Sequence, residues 1–316
     1  MMTPSLTIII PVLNRANVLL RTLDSIAASS RLPSALILVD NGSEDASLTI
    51  CQQWAEHHTS DAFRISVLEA PRRGASVARN VGLSACQTDY VYFFDSDDLI
   101  SPSFIADVTE VFAANPVLDV LFVPTRQEVK GEVQVRAFRP QGDAWVHILN
   151  SQLNTVSMVF RTSFLKALGG WNEQLTVWDD WELGLRVLLA RPKWEWLTSK
   201  SYHHVVVHPD SQTNSSFTRT LEPTLQAIRM AAHAICHASC SEQEQAKCLL
   251  ALYYRCKIME GKLMVEKSFL AAESYKALIQ ELDITPLNWK SKAGSFLRWY
   301  SAMGGRGAWR LALRLV

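Results

Sequence analysis

Over the first 125 residues, short apolar runs alternate with amphipathic stretches. Leu6–Val12 is apolar on both faces and rich in β-branched residues, which predicts a buried strand. Within Asn17–Ser29, Val18, Leu19, Leu23 and Ile26 fall at helical spacing. The same reading gives strands at Ala35–Val39, Phe63–Leu68, Tyr90–Phe94 and Leu118–Val123, and helices at Leu48–His57, Ser76–Cys86 and Ser103–Ala114. Strands alternating with helices of this length require crossover connections, hence a mostly parallel sheet flanked by helices, an α/β nucleotide-binding layout. Ligands of such a sheet sit just beyond the strand ends.

After residue 126 the pattern loosens. Gln127–Phe138 reads as a hairpin turning near Lys130-Gly131, Thr155–Arg161 as a strand, and Trp178–Leu189 as a helix. Trp194–Leu197 and Tyr202–Val207 read as strands. Beyond residue 218 the spacing is helical throughout: Leu221–Ala238, Glu242–Lys267, Phe269–Leu282 and a final basic segment. The polar run at 209–220 between the two regimes is the best candidate for a linker or loop. The domain expectation is therefore 1–217 and 218–316.

Composition narrows the class. The chain has 316 residues, 48% of them hydrophobic and 20% charged, enough for a large core and unlike a disordered chain. Its 31 basic and 31 acidic residues give no net charge, which argues against nucleic-acid binding. The charge is uneven, however. Residues 287–316 carry Lys290, Lys292, Arg298, Arg306, Arg310 and Arg314 and no acid. No run of eighteen apolar residues is present, and Pro11 interrupts the first apolar run, so neither a membrane span nor a signal peptide is expected. The six cysteines lack CxxC spacing and read as free thiols. A cytoplasmic location is the expectation.

Polar clusters follow the strand ends. Pro11-Val12-Leu13-Asn14-Arg15 leaves the first strand, and Asp40-Asn41-Gly42-Ser43-Glu44-Asp45 leaves the second. Arg72-Arg73-Gly74 and Arg79-Asn80 bracket the start of the third helix, where backbone donors and arginines suit phosphate oxygens. Asp95-Ser96-Asp97-Asp98 leaves the strand at Tyr90–Phe94. Three carboxylates in four residues repel one another, and an Asp-x-Asp pair supplies hard oxygen ligands for Mg²⁺ or Mn²⁺ shared with a diphosphate. A turn followed by a helix cap is the competing reading of the same residues. Gly169-Gly170-Trp171-Asn172-Glu173 and Trp178-Asp179-Asp180-Trp181-Glu182 form a further cluster. Its tryptophans can carry a sugar ring, and a carboxylate beside them is a candidate general base, although acids in a first helical turn also serve the helix dipole.

In this order the clusters resemble the family-2 glycosyltransferases, inverting nucleotide-sugar transferases of the GT-A fold. Thr7–Arg15, Leu38–Ser43 and Gly74…Ala78-Arg79-Asn80-Val81-Gly82 resemble the family's nucleotide-binding segments, and Phe94–Asp98 resembles its DxD. Gly169–Glu173 with Asp179–Glu182 is similar to the acceptor motif, and Val207-His208-Pro209 to a closing loop. The resemblance covers about residues 5–215. It implies a nucleotide-diphospho-sugar donor seated by Pro11, Asn14, Asp40, Asn41, Arg79, Asp95 and Ser96. It further implies Mn²⁺ or Mg²⁺ on Asp97, Asp95 and His208, and Asp180, with Asp179 beside it, as catalytic base. Asn41 stands where the family often has a second aspartate, which leaves UDP- and dTDP-sugars both open. The implied acceptor is a glycan or lipid-linked glycan of bacterial surface-polysaccharide synthesis. Nucleotidyltransferases are disfavoured because their basic Gly-rich loop is missing after the first strand. A non-catalytic sugar-nucleotide-binding protein of the same fold is the other alternative. For the tail at 287–316 two readings stand: a peripheral contact with an anionic membrane face, or a basic helix docked on the acidic body.

Overall fold

Leu6–Val12 forms strand β1, and every side chain from Leu6 to Ile10 is buried. There follow α1 (Leu19–Ala27), β2 (Ala35–Asp40), α2 (Ser47–His58), β3 (Arg64–Glu69), α3 (Ala75–Ala85) and β4 (Tyr90–Phe93). Next come β5 (Leu99–Ile100), α4 (Phe104–Ala114), β6 (Val120–Phe122), β7 (Thr125–Val129) and β8 (Glu132–Arg136). The middle of the chain holds α5 (Ala144–Asn150), β9 (Met158–Arg161), α6 (Thr162–Ala167), α7 (Asp179–Leu189), β10 (Trp194–Trp196) and β11 (His203–Val205). The rest is helical: α8 (Leu221–His237), α9 (Glu242–Val265), α10 (Phe269–Glu281), α11 (Trp289–Ala302) and α12 (Ala308–Ala312). The computed structural model describes residues 4–129, 132–136, 143–206 and 217–316.

By contact density the chain forms two units, residues 1–139, 154–176 and 192–208 in one, and 140–153, 177–191 and 209–316 in the other. The expected first domain at 1–217 is thus shared between both units. Residues 140–153 and 177–191 group with the C-terminal helices because α5 packs on α9, and α7 packs on α5 and α8.

The first unit holds a sheet of order β10-β6-β9-β4-β1-β2-β3. β3, β2, β1 and β4 are parallel, with Val12 opposite Asp40 and Ile9 opposite Phe93. A strand buried on both faces needs such a place, between neighbours and under helices. β9 runs antiparallel to β4 and β6, a direction that its apolar pattern does not encode. The parallel strands bring residues 13–16, 41–46 and 94–98 out at one sheet edge, their carboxyl end. Gly82 lets α3 close on β1, since a Cβ there would stand 2.4 Å from Ile9 Cγ2. A second sheet, β5-β11-β7-β8, contains the expected hairpin, whose turn at Lys130-Gly131 lies outside the described residues.

The second unit is built around α9. Leu250, Leu252, Tyr253, Ile258 and Leu263 are buried on different sides of this helix, as a helix enclosed by others requires. Ser241 starts it by accepting from Glu244 N at 3.2 Å. The basic tail docks here. The α11 face at Gly294, Leu297 and Ser301 is buried, and Gly261 on α9 lies so close that a Cβ would meet Arg298 O at 2.4 Å. Trp289, Phe296, Trp299 and Met303 stay exposed on the other face of α11.

Boundaries shift where local hydrogen bonds override spacing. α1 starts at Leu19 because Arg15 O first accepts from Val18 N and Leu19 N. Thr155–Ser157 is a 3-10 turn, closed by Asn154 and Ser157, and only then does β9 begin. All six cysteines are free; Cys51, Cys86, Cys248 and Cys256 are buried.

Candidate active site

Two loops at the carboxyl edge of the sheet lock each other. Asn14, in the left-handed region at φ 51°, accepts from Glu44 N at 2.8 Å through Oδ1, and its own N donates to Ser43 Oγ at 3.1 Å. Asp45 accepts from Ala16 N at 3.0 Å and Ser47 N at 2.9 Å, and Arg15 N donates to Ser47 Oγ at 2.7 Å. Asp40, at the end of β2, folds back so that Oδ2 accepts from Gly42 N and Ser43 N, both at 3.0 Å. Its Oδ1 is buried without a hydrogen-bond partner among the described residues. An acceptor left in that state costs free energy until something donates to it. Asn41 is also buried, and its Oδ1 holds Gly74 N at 3.0 Å, at the head of α3.

The four residues after Phe94 divide their work. Asp98 is 2% exposed and turned inward: Oδ2 pairs with His203 Nε2 at 2.7 Å, and Oδ1 accepts from Val206 N at 2.8 Å. His203 Nδ1 shares a 2.7 Å hydrogen bond with the Tyr92 hydroxyl, which donates to Val156 O at 2.8 Å. Asp98 therefore ties β11 to the acid cluster. Asp95 stands 3.4 Å from Arg79 Nη2, and Asp97 3.7 Å from Arg15 Nε. Loss of hydration raises the pKa of Asp95; Arg79 opposes the shift and the carboxylates of Asp98 and Asp97 add to it. Ser96 is buried, its carbonyl accepting from Thr22 Oγ1 at 3.1 Å, and Pro11 is half-buried opposite Val39.

Arg79 lies over the Trp171 ring at 4.4 Å, which fixes the guanidinium that faces Asp95. The neighbouring Asn80 clamps the glycine-rich segment. Its Nδ2 donates to Trp171 O at 2.8 Å and Glu173 Oε1 at 2.9 Å, and its Oδ1 accepts from Trp171 N at 2.9 Å. Gly170 is required there: its φ is 67°, and a Cβ would stand 2.6 Å from Asn80 Oδ1. Arg72 Nη2 adds an ion pair to Glu173 at 2.6 Å.

In the second unit, Asp179 and Asp180 open α7, where the helix dipole favours their charge. Trp178 precedes them at φ 58°, and Asp180 Oδ1 accepts from Trp181 N at 2.7 Å. Glu182 is buried and held by Arg186 in a two-point contact at 2.8 and 2.9 Å. His147 on α5 sets this first turn. Its Nε2 bonds Trp181 O at 2.8 Å, while Nδ1 receives Gln152 N at 3.1 Å and Leu153 N at 3.3 Å. That pattern makes Nε2 the protonated nitrogen, and burial lowers the imidazole pKa to about 4, so the ring is neutral near pH 7.

The family profile described as Glycosyl transferase family 2 matches residues 7–166, half of the chain. The chain belongs to glycosyl transferase family 2. The minor teichoic acid biosynthesis protein GgaA of Bacillus subtilis is 26% identical over 185 residues, 55% of this chain and 41% of GgaA. The family-2 chain spans 14% to 44% of the length of the first curated relatives that it matches. Residues 1–349 of TarS from S. aureus, solved with UDP-GlcNAc, superpose with a TM-score of 0.72 at 19% identity, covering 98% of this chain and 90% of that one. The mannosyltransferase PcManGT from Pyrobaculum calidifontis, solved with GDP-Man and Mn²⁺, gives 0.58 at 18%, covering 99% and 85%. The fold of this family-2 chain is GT-A, with a helical C-terminal region.

The first unit of the family-2 chain gathers Pro11, Asn14, Asp40, Asn41, Arg79, Asp95, Ser96 and Asp97 around one sheet edge, while Asp179 and Asp180 belong to the second unit. His208 lies outside the described residues. One expectation changes. Trp171 and Trp181 are each 2% exposed, so neither offers a sugar platform; both are packing residues. Asn14 spends its side-chain oxygen on loop-to-loop closure. His147 and the positioning role of Asn80 carry no signal in the local sequence. The reach of Asn80 to Trp171 spans 91 residues, beyond any local pattern.

Proposed function

We propose that the chain is an inverting glycosyltransferase. It moves a sugar from a nucleotide-diphosphate donor, a UDP-sugar in the favoured reading, to a hydroxyl of a glycan or lipid-linked glycan. The setting is synthesis of bacterial surface polysaccharide, a reading supported by the similarity to GgaA, which is named for minor teichoic acid biosynthesis. The observation that carries the reading is the grouping of Asp40, Arg79, Asp95 and Asp97 at the carboxyl edge of β1, β2 and β4. The unpaired Oδ1 of Asp40 suits an N–H of the nucleotide base. Asn41 serves α3 through its oxygen, so Asp40 carries more of that recognition than Asn41.

Among the described residues no group of three His, Cys, Asp or Glu side chains stands ready for a metal ion. Mg²⁺-type sites need only one or two carboxylates when diphosphate oxygens and water complete the shell, so Asp95 and Asp97 fit Mn²⁺ or Mg²⁺, with His208 a further ligand. Bound there, the ion would offset charge on the leaving diphosphate. Asp180 takes the proton of the acceptor hydroxyl as its oxygen bonds to the anomeric carbon. The bond from that carbon to the diphosphate oxygen breaks, the nucleoside diphosphate leaves with the electron pair, and the configuration inverts. Asp179 stands beside the base.

Thermal unfolding with UDP, dTDP, GDP and CMP, each with Mn²⁺ or chelator, tests the donor site. A nucleotide at a hundredfold its Kd stabilises by about 2.7 kcal/mol. A metal-dependent shift with UDP supports the reading, one with dTDP alone moves it to a deoxysugar donor, and no shift with any nucleotide refutes it. Asp180→Asn is expected to abolish turnover with donor Kd unchanged; equal loss of both counts against the base.

The exposed stripe Trp289, Lys292, Phe296, Trp299 and Met303 recurs every three or four residues along α11, outside its buried face. Aromatic side chains interleaved with a cation suit an anionic membrane interface, and this stripe supports peripheral membrane contact. No helix among the described residues is long and apolar enough to cross a membrane. Replacing Trp289 and Trp299 with Ser is expected to lower binding to phosphatidylglycerol vesicles in a flotation assay, and failure of the unaltered chain to float removes the idea.

A further inference from the structure

Within the second unit a pocket of about 240 Å³ is lined by Ser151, Trp178, Phe217, Arg255, Lys262 and Trp309, among others. It holds two cations, Arg255 buried and Lys262 half-buried. Arg255 is 4% exposed, and its guanidinium lies 4.1 Å from the Trp178 ring centre, 4.5 Å from that of Trp181 and 5.2 Å from that of Trp309. Nη1 donates to Ile148 O at 2.6 Å and to Ser151 Oγ at 3.3 Å, while Nε is buried without a partner. Lys262 sits 4.6 Å from the Phe217 ring centre and 4.8 Å from that of Trp309, and no ion pair or hydrogen bond engages its ammonium among the described residues. Aromatic faces, together with the charge of Asp180 felt by Arg255, compensate the buried guanidinium and the half-buried ammonium only in part.

An anion supplies what is missing. A phosphate group presents several acceptor oxygens to a guanidinium and an ammonium at once, and charge-assisted hydrogen bonds of this kind are the strong ones. The tryptophan walls offer an apolar surface to the carbon skeleton attached to it. Trp178 also caps the helix that starts with Asp179 and Asp180, so the pocket adjoins the candidate base within one unit. We propose that this pocket holds a phosphate group of the acceptor, through Arg255 and Lys262. Its place in the reaction rests on the transferase reading above; its binding chemistry does not. The phosphate has two possible sources, a diester within a polyol-phosphate chain or the diphosphate of a lipid-linked glycan.

The test uses the full chain in chelator with no nucleotide, so that neither donor nor metal is involved. Isothermal titration is run with glycerophosphoglycerol, with geranyl diphosphate, and with glycerol as the uncharged control. The chain is expected to bind at least one phosphate-bearing probe and not glycerol, and the tighter of the two identifies the source. Lys262→Met is expected to weaken that binding about tenfold or more, the loss of one charge-assisted contact. Lys262→Arg is expected to keep it, and Asp97→Asn, which alters only the first unit, to leave it unchanged. Circular dichroism and the melting temperature verify folding; Lys262→Gln replaces Lys262→Met if the latter unfolds. The proposal is overturned by a wild-type chain that binds neither probe. It is equally overturned by a neutral Lys262 variant that binds as tightly as wild type, or by loss of binding in Asp97→Asn. A chain that binds the probe but transfers no sugar leaves this pocket standing and removes the transferase reading instead.

Discussion

His147 converts burial into a measurable pH dependence. The imidazole is fully enclosed, its Nε2 held by Trp181 O and its Nδ1 by two backbone N–H groups, so a second proton has no acceptor to meet. Its pKa falls from 6.5 to about 4 in the folded chain. Between these values the unfolded state takes up a proton that the folded state refuses. The contribution of neutral His147 is therefore complete above about pH 6.5 and declines as pH falls toward 4. From pH 7 to pH 5 the loss amounts to about 2 kcal/mol, from the population of protonated unfolded chain at each pH. Other carboxylates and histidines titrate in the same range, so the comparison must be with His147→Gln, which keeps them all. That variant is less stable than wild type at pH 7, having lost the paired contacts, and the gap between the two should narrow by about 2 kcal/mol at pH 5. Urea unfolding followed by circular dichroism at both pH values gives the two gaps. A gap that stays constant with pH would falsify the assignment of the neutral, Nε2-protonated ring.

Two further substitutions probe how the site is held. Asn80→Ala removes three hydrogen bonds to the Trp171–Glu173 segment and should cost about 1–3 kcal/mol. If that segment is held only by its own glycines, the urea midpoint will not move. Gly261→Ala places a methyl 2.4 Å from the Arg298 carbonyl, a backbone atom that cannot turn aside, and α11 must shift at a cost of about 1–3 kcal/mol. Limited proteolysis should then cut within residues 289–302 sooner than in wild type, and an unchanged cleavage rate would mean that α11 and α9 are not packed as described.

The α/β core was legible because β1, β2 and β4 are enclosed on both faces, so their apolar runs carry the signal unaided. The direction of β9 was not, since Met158–Arg161 is apolar whichever way it runs. α5 escaped notice for a different reason. It is seven residues long, and His147, the polar residue that breaks its apolar run, points inward to serve Trp181 and Gln152. At the acid cluster, Asp97 and Asp98 are chemically identical neighbours, and only their surroundings separate them. Asp98 is turned inward by a histidine 105 residues further on. The pocket cations were equally hidden, because Arg255 and Lys262 read as ordinary solvated residues of a long helix until Trp178 and Trp309 arrive from elsewhere in the chain.

The division of the chain has a consequence in time. It changes unit five times, at 139/140, 153/154, 176/177, 191/192 and 208/209. During synthesis α5 leaves the ribosome about 100 residues before α9, an interval of roughly 5–20 s at ordinary elongation rates. Through that interval Val146, Ile148 and Leu149 have no α9 to cover them, although the strands of the first unit can already pair. Helices α8 to α12 complete a body begun in the middle of the chain. Nascent chains stalled between residues 200 and 240 should therefore engage chaperones more than those in which α9 has emerged.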